Sequence, residues 1–274
     1  TATNATTLNA AAITVNGTVN TTNGMTTLTA ASDNLTLQGS GDVSGQTVSV
    51  SNVQDFNHNG STISGGSAVI NAASNVNLQG GSIQATDTSL TAGTDIGLVS
   101  GSIISDTAEL TATSGKITEN NGYVVNAGVL NVAAGQGIAM SSEANKLKNV
   151  VIDNAGDSVT IVSSNDIAGD LNVSTARGKM VNGNINVTNV AAGSALNKIV
   201  VDKALQASGN ITLVNNESDI NVNANALVAA ANIILQADGN AVNFNGGSLT
   251  TTATNGKLDA RGNNISIAGS EIDA

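Results

Sequence analysis

The chain has a single histidine, His58, inside DFNHNG (55–60), with a carboxylate, Asp55, three residues before it. An imidazole oriented by a carboxylate is the centre of a general-base site, and serine is plentiful enough to supply a nucleophile. No GxSxG elbow accompanies them. The competing reading of DFNHNG is a polar turn between two strands. Clustered carboxylates are the second candidate chemistry, because polysaccharide-cleaving enzymes use them to bind calcium or to act as acid and base. Here Asp87, Asp95, Asp106, Asp153, Asp157, Asp166 and Asp170 fall at different places along the chain's pattern, as lone turn aspartates do. Sugar clefts also use stacking aromatics, and Tyr123, Phe56 and Phe244 are few and scattered. A calcium-binding nonapeptide reads GGxGxDxUx. GGSIQATDT (80–88) matches it poorly and once, which leaves calcium open at Asp153, Asp157 or Asp166. The expectation is a chain that is not an enzyme, with no catalytic, cofactor-binding or metal-binding residues.

Three surface features carry weaker signals. A flat rank of TxT on every repeat would suit ice; TAT (1–3), TLT (27–29), TAT (111–113) and TTT (250–252) occur, but Asn, Ser or Val interrupts the rank. Lys146, Lys148, Arg177, Lys179, Lys198 and Lys203 make 146–203 the basic stretch, read either as solvated surface or as a partner-contact patch. Sequons at Asn34, Asn172, Asn186, Asn210, Asn216 and Asn264 leave glycosylation open.

Composition narrows the class. Only 11% of the 274 residues are charged, against about 25% in an average domain. Aromatics are 1%, and Pro and Cys are absent. Without Cys there is no disulfide framework, thiolate site or Cys nucleophile. Disorder goes with low hydrophobicity, yet 40% of residues are hydrophobic, so a core must form from small aliphatics. The net charge is −11, and residues 1–115 contain no Lys or Arg. That excludes the basic footprint of nucleic-acid binding and electrostatic docking on an anionic membrane. No apolar run approaches the roughly 20 residues of a spanning helix. TATNATTLNA lacks the regions of a signal peptide, so the chain is expected to be a mature form or a piece of something longer.

The elements that position these residues follow from a repeat of about twenty residues. INAASNVNLQGGSIQATDTS (70–89) and LTAGTDIGLVSGSIISDTAE (90–109) agree at their apolar places: Ile70 with Leu90, Ala72 with Ala92, Val76 with Ile96, Leu78 with Leu98, Ile83 with Ile103. Apolar block starts fall at Leu8, Leu28, Val48, Ile70, Leu90, Leu110, Leu130, Val151 and Leu171, then at Leu205, Leu227 and Leu249. Leu205, Ala207, Ile211, Leu213, Ile220 and Val222 have the same spacing as Leu227, Ala229, Ile233, Leu235, Val242 and Phe244. The step of two within blocks is the strand period. Each unit then holds three short strands split by turn material such as QGG (79–81) and NNG (120–122). Such a unit cannot bury one face alone, and stacking it in parallel on its copies closes a core. The expected fold is all-β, a parallel β-helix of about a dozen coils, right-handed by the preference of parallel crossovers. One domain is expected over 1–274, with an irregular coil or insertion at 189–198 and a short helical turn possible in SSEANKLKN (141–149). Outward residues one place after the block starts, Asn9, Thr29, Ser49, Asn71, Thr91, Thr111, Asn131 and Asn172, are expected to form hydrogen-bonding ladders.

LTAASDNLTLQGSGDVSG (28–45), INAASNVNLQGGSIQA (70–85) and LQASGNITLVNNESDINV (205–222) resemble the repeats of filamentous-haemagglutinin-like exoproteins, over about residues 8–274. That resemblance implies two-partner secretion, a place at the bacterial cell surface, and a structural or adhesive rod in an adhesin or toxin carrier. The NPNG-type motif typical of the secretion domain is absent, because the chain has no Pro. The expected partners are a host or neighbouring-cell surface, or a second copy joined end to end, with no nucleic acid and no membrane insertion. A self-assembling fibre or surface-layer subunit, a β-helical polysaccharide-active enzyme and an ice-binding solenoid are the alternatives.

Overall fold

The computed structural model describes residues 1–274 except 32, 40, 165–168, 191–196 and 217. None of the described residues is helical. The strands pair in parallel and stack as a β-solenoid of about 12 turns. The chain divides into two compact units, Thr1–Leu130 and Asn131–Ala274.

In the first unit three columns of apolar residues run from coil to coil. One holds Leu8, Leu28, Val50, Ile70, Leu90 and Leu110. The second holds Ile13, Leu35, Phe56, Val76 and Ile96, and the third Val19, Val43, Ile63, Ile83 and Ile103. From the second coil onward every member is buried. Burying one such side chain contributes roughly 1.5–3 kcal/mol, so the repeat is conserved inside the chain where it fills the bore. One block start moves: Leu28 stands opposite Val50, not Val48, and Val48 stands opposite Thr26. The two extra residues of the pattern therefore lie before Val50, and Ser51 replaces Ser49 in the Thr29 column.

The strands are longer than three short pieces per coil. Val76–Ala92 and Ile96–Ala112 each run round corners without a break. QGG (79–81) is part of the first, because the ladder to the neighbouring coil continues through the bend, with Ser82 N–H donating to Ser61 O at 3.0 Å. The bend is taken up by glycines and register shifts between Leu98 and Ser102. Gly81 and Gly101 have φ of 75° and 114°. A Cβ on Gly101 would lie 2.3 Å from Gly81 O, so both the conformation and the space require glycine.

In the second unit one column holds Ile138, Val159, Ile185, Ile211, Ile233 and Leu258. Another holds Leu171, Ile199, Ile220, Val242 and Ile265, and a third Leu205, Val228, Leu249 and Ile272. Steps lengthen here: Leu171 to Ile199 spans 28 residues. Three expectations are corrected. Val151 and Leu171 are not one step apart in one column, since Val150 pairs with Val173 and Val151 is only half-buried. Residues 141–145 form a turn followed by the strand Lys146–Ala155, with no helical residue, so the β ladder prevails over the modest helix preference of SSEANKLKN. Leu227 is 41% exposed, and Val228 takes the inward place opposite Leu205 and Leu249. A bulge between Ala224 and Leu227 shifts the register, and a one-residue slip turns every side chain to the other face. Ala230 rather than Ala229 is accordingly buried.

The two neighbours make a test of the register. Val228→Asp places an unpaired charge in the bore and is expected to destabilise the chain by at least about 2 kcal/mol in chemical denaturation followed by circular dichroism. Leu227→Asp on the outer face is expected to leave the midpoint nearly unchanged. The opposite order of the two variants would return Leu227 to the core.

Candidate functional site

His58 lies neither in a catalytic cleft nor in a polar turn. It sits on the strand Phe56–Asn59 and is 1% exposed, with Leu37 and Leu78 opposite it in the coils on either side. The alternation that turns Phe56 inward turns His58 inward too, and their rings stack with centroids 6.2 Å apart. Burial pushes the imidazole down from 6.5 to about 4, against a smaller upward pull from a hydrogen bond to the Ser61 main chain. Its Nε2 and the Ser61 Oγ are buried without hydrogen-bond partners among the described residues. A neutral ring in an apolar column can pack, but it has no route to a substrate.

Asp55 does not orient His58. Its Oδ1 accepts from the main-chain N–H of Asn75 at 3.0 Å and from Asn75 Nδ2 at 2.9 Å. It belongs to a ladder in which each corner side chain accepts from the next coil: Asp55 N–H donates to Asn34 Oδ1 at 3.2 Å, Asp95 N–H to Asn75 Oδ1 at 3.3 Å, and Lys116 N–H to Asp95 Oδ1 at 2.8 Å. The second unit repeats the device, with Asn210 N–H donating to Asn184 Oδ1 and Lys257 N–H to Asn232 Oδ1. Its signal was present in the sequence as Asn, Asp, Ser or Lys just before the apolar residue that opens most strands of this column, with Ala12 and Gly137 as exceptions.

The other candidates disperse. Tyr123, Phe56 and Phe244 are all buried, so no aromatic ring is offered to a sugar. Burial, followed by the Glu119 carboxylate, holds the Tyr123 phenol above its ordinary range. Asp87, Asp106 and Asp153 are exposed; Asp157 and Asp170 accept from the main-chain N–H of Ser158 and Lys198. Asp166 lies outside the described residues. No group of three or more metal-binding side chains occurs among the described residues. The Thr29, Ser51, Asn71, Thr91, Thr111 column has no side-chain hydrogen bonds along it. Amide ladders occur instead at Asn57–Asn77 (3.0 Å), Asn221–Asn243 (2.9 Å) and Asn223–Asn245 (3.3 Å). In the neighbouring column Thr27 is followed by Ser49, Val69, Ser89 and Glu109, which interrupts any threonine rank. Of the sequon asparagines, Asn34 and Asn210 are engaged in corner ladders, and Asn172 Nδ2 donates to Lys148 O.

Within the basic stretch, Lys198 pairs with Asp219 at 3.6 Å. Most of the 189–198 insertion, 191–196, lies outside the described residues. Its base is pinned from within: Asn189 and Asn215 are inward and buried, Asn189 Nδ2 donates to Asn215 Oδ1 at 3.1 Å, and both amides donate to Asn197 O. The concavities among the described residues include two in separate units. One is a shallow polar groove over Thr21, Ser44, Gly45, Ser64 and Gly65 in the first unit. The other is a notch in the second unit lined by Asn149, Val150, Val151, Asn172, Val173, Ser174, Asp202 and Lys203. Sequence reasoning missed the notch because it depends on pairing between coils 28 residues apart.

His58 gives the chain an acid sensitivity. The unfolded ring takes a proton near pH 6.5 and the folded ring near pH 4, so the unfolded state binds more protons between these values. Stability is complete above pH 6.5 and falls as the pH drops toward 4, by roughly 3 kcal/mol in all. His58→Leu continues the Leu37–Leu78 column and is expected to gain melting temperature over the parent progressively through that window. Parallel curves for the two proteins would refute the assignment. Comparison with family models, with curated proteins and with solved structures finds no match to this chain.

Proposed function

We propose that the chain is a non-catalytic structural or adhesive rod of a secreted bacterial surface protein, of the filamentous-haemagglutinin-like kind exported by two-partner secretion. The observation that carries this reading is the distribution of chemistry across the coils. The bore takes the aliphatics, all the aromatics and the one histidine, while the outer positions carry repeated Asn, Thr and Ser. Polar groups are spent on linking one coil to the next rather than on converging at a point. A stack of this kind holds its outer face in a fixed order, which suits a spacer or a surface for contact with a host or neighbouring cell. The repeats quoted above support the finer family reading. No nucleic acid, membrane insertion or cofactor is part of it.

A second reading, self-association, is favoured by one observation. Ile265, Ile267 and Ile272 continue the columns of Val242, Phe244 and Leu249, and they are 51%, 59% and 37% exposed. A further parallel coil, of the same polypeptide or of a second copy, would cover them, and the second case is self-association. Negative-stain microscopy of the purified chain is expected to show short rods of uniform length; compact globules would sink the rod, and long filaments would favour self-association. Beads coated with the chain are expected to adhere to cells more than beads coated with Ile103→Asp, a variant charged inside the bore. Equal adherence would remove the adhesive half of the proposal.

A further inference from the structure

The nine Lys and Arg residues differ in how firmly the ladder holds the main chain around them. Lys116, Lys198 and Lys257 stand at corners with both main-chain groups bonded. Their N–H groups donate to Asp95, Asp170 and Asn232, and their carbonyls accept from Ile96, Leu171 and Ile233. Lys146 and Lys148 lie in the strand Lys146–Ala155, and Arg261 closes the paired strand Leu258–Arg261. Lys203 is one of two residues between the strands Ile199–Val201 and Ala204–Gln206. Arg177 and Lys179 differ from all of these, for they lie in a longer connection outside any strand, ARGKM (176–180).

Arg177, Gly178, Lys179 and Met180 are consecutive exposed residues, and Met180 is 55% exposed. Lys179 N–H donates to Ala176 O at 2.9 Å and closes a turn. Gly178 has φ of 72°, and a Cβ on it would meet nothing within 4 Å, so the tip stands clear of the coils. Neither Arg177 nor Lys179 makes an ion pair among the described residues, whereas Lys198 pairs with Asp219 and Arg261 with Asp259. The strand that leads into the turn, Leu171–Thr175, is held along one edge only in its second half. On the side of the earlier coil it pairs in continuous register with Asn149–Ile152. On the side of the later coil the pairing ends at Asn172 with Val200. Val173 and Ser174 then face three residues, Val201, Asp202 and Lys203, before Thr175 Oγ1 donates to Ala204 O at 3.2 Å. The turn and its approach can therefore open by breaking few bonds, and it is such segments that open without global unfolding.

We propose that ARGKM (176–180) is a processing site for an endopeptidase whose specificity pocket takes a basic side chain. Cleavage adds one water across the Arg177–Gly178 or the Lys179–Met180 peptide bond. The carbonyl carbon of the basic residue gains an oxygen and becomes a carboxylate, and the departing nitrogen takes the protons and becomes an ammonium. Arg177 or Lys179 enters an acidic pocket of the enzyme, and no ion pair within the chain has to break first. Exposed loop tips are the places where such nicks concentrate. The ends made by the cut stay in the solenoid. Ala176 N–H donates to Ile152 O on one side, and on the other Val181 N–H donates to Gln206 O and Asn182 N–H to Ala155 O. Val159–Ser164, before the cut, remains paired along its length with Ile185–Val190, after it. The protein is thus nicked without being divided. The inference goes beyond the rod reading and does not depend on it.

The test is a timed digestion of the whole native chain with trypsin, read by intact mass spectrometry and by size-exclusion chromatography. The first products are expected to be a fragment ending at Arg177 or Lys179 and its complement, eluting together until denaturant separates them. The double variant Arg177→Gln, Lys179→Gln should lose these products at the same trypsin concentration. Its melting temperature should be unchanged, because both side chains are exposed. The proposal fails if the first cut falls after any other basic residue, Lys203 being the nearest rival. It fails also if small peptides appear with no nicked form before them, since global unfolding would then be the route, or if the two fragments separate without denaturant.

Discussion

A coil in this protein cannot satisfy its own backbone. The main-chain N–H groups of one coil find their carbonyls in the next, as Val76 does in Asp95 and Ile96 in Lys116. Everything else follows from the need for that pairing to continue, because a buried unpaired backbone group costs as much as a lost hydrogen bond. The absence of Pro belongs here, since a missing donor would open the ladder on an inner coil. The corner asparagines and aspartates belong here as well, for they take the N–H groups that the bend turns away from a main-chain acceptor. Extra residues are accommodated only at corners or as bulges, since elsewhere a slip of one would exchange core and surface.

The bore is not uniformly apolar, and its exceptions differ in kind. Asn189 and Asn215 hydrogen-bond each other and the carbonyl of Asn197, so they hold together the base of the longest insertion. His58 lies between two leucines with one ring nitrogen unpartnered among the described residues, as Asn189 Oδ1 is too, but the ring makes no bond to another coil's side chain. The first arrangement ties distant parts of the chain in place. The second is a weakness confined to one coil, and it is felt only when protons become abundant.

The solenoid and its inward residues in coils 70–109 were legible because alternation and a constant step leave few folds open. Register was less legible. Leu227 and Val228 are both aliphatic, and only the bulge between Ala224 and Leu227 decides which faces inward. Val48 and Val50 pose the same ambiguity two residues apart. His58 was misplaced because polar neighbours on both sides of it suggested a turn, although its spacing of two from Phe56 fitted a strand. The notch could not be read at all, for it is made by three residues facing two across separate coils.

The corner ladder has a consequence for how the protein ages. Along Asn34, Asp55, Asn75 and Asp95 the bond to the next coil's main chain needs only a side-chain oxygen. Slow hydrolytic loss of ammonia from an asparagine leaves such an oxygen in place, so these joints keep their bond to the main chain as amide turns to acid. At Asn57–Asn77, Asn221–Asn243 and Asn223–Asn245 the amide nitrogen is itself the donor. The same conversion there removes the bond and sets two carboxylates side by side once both partners have reacted. Chemical wear would thus spare the corner bonds to the main chain and gather on the bonds that an amide nitrogen donates, at the outer faces and at Asn75–Asp55 alike.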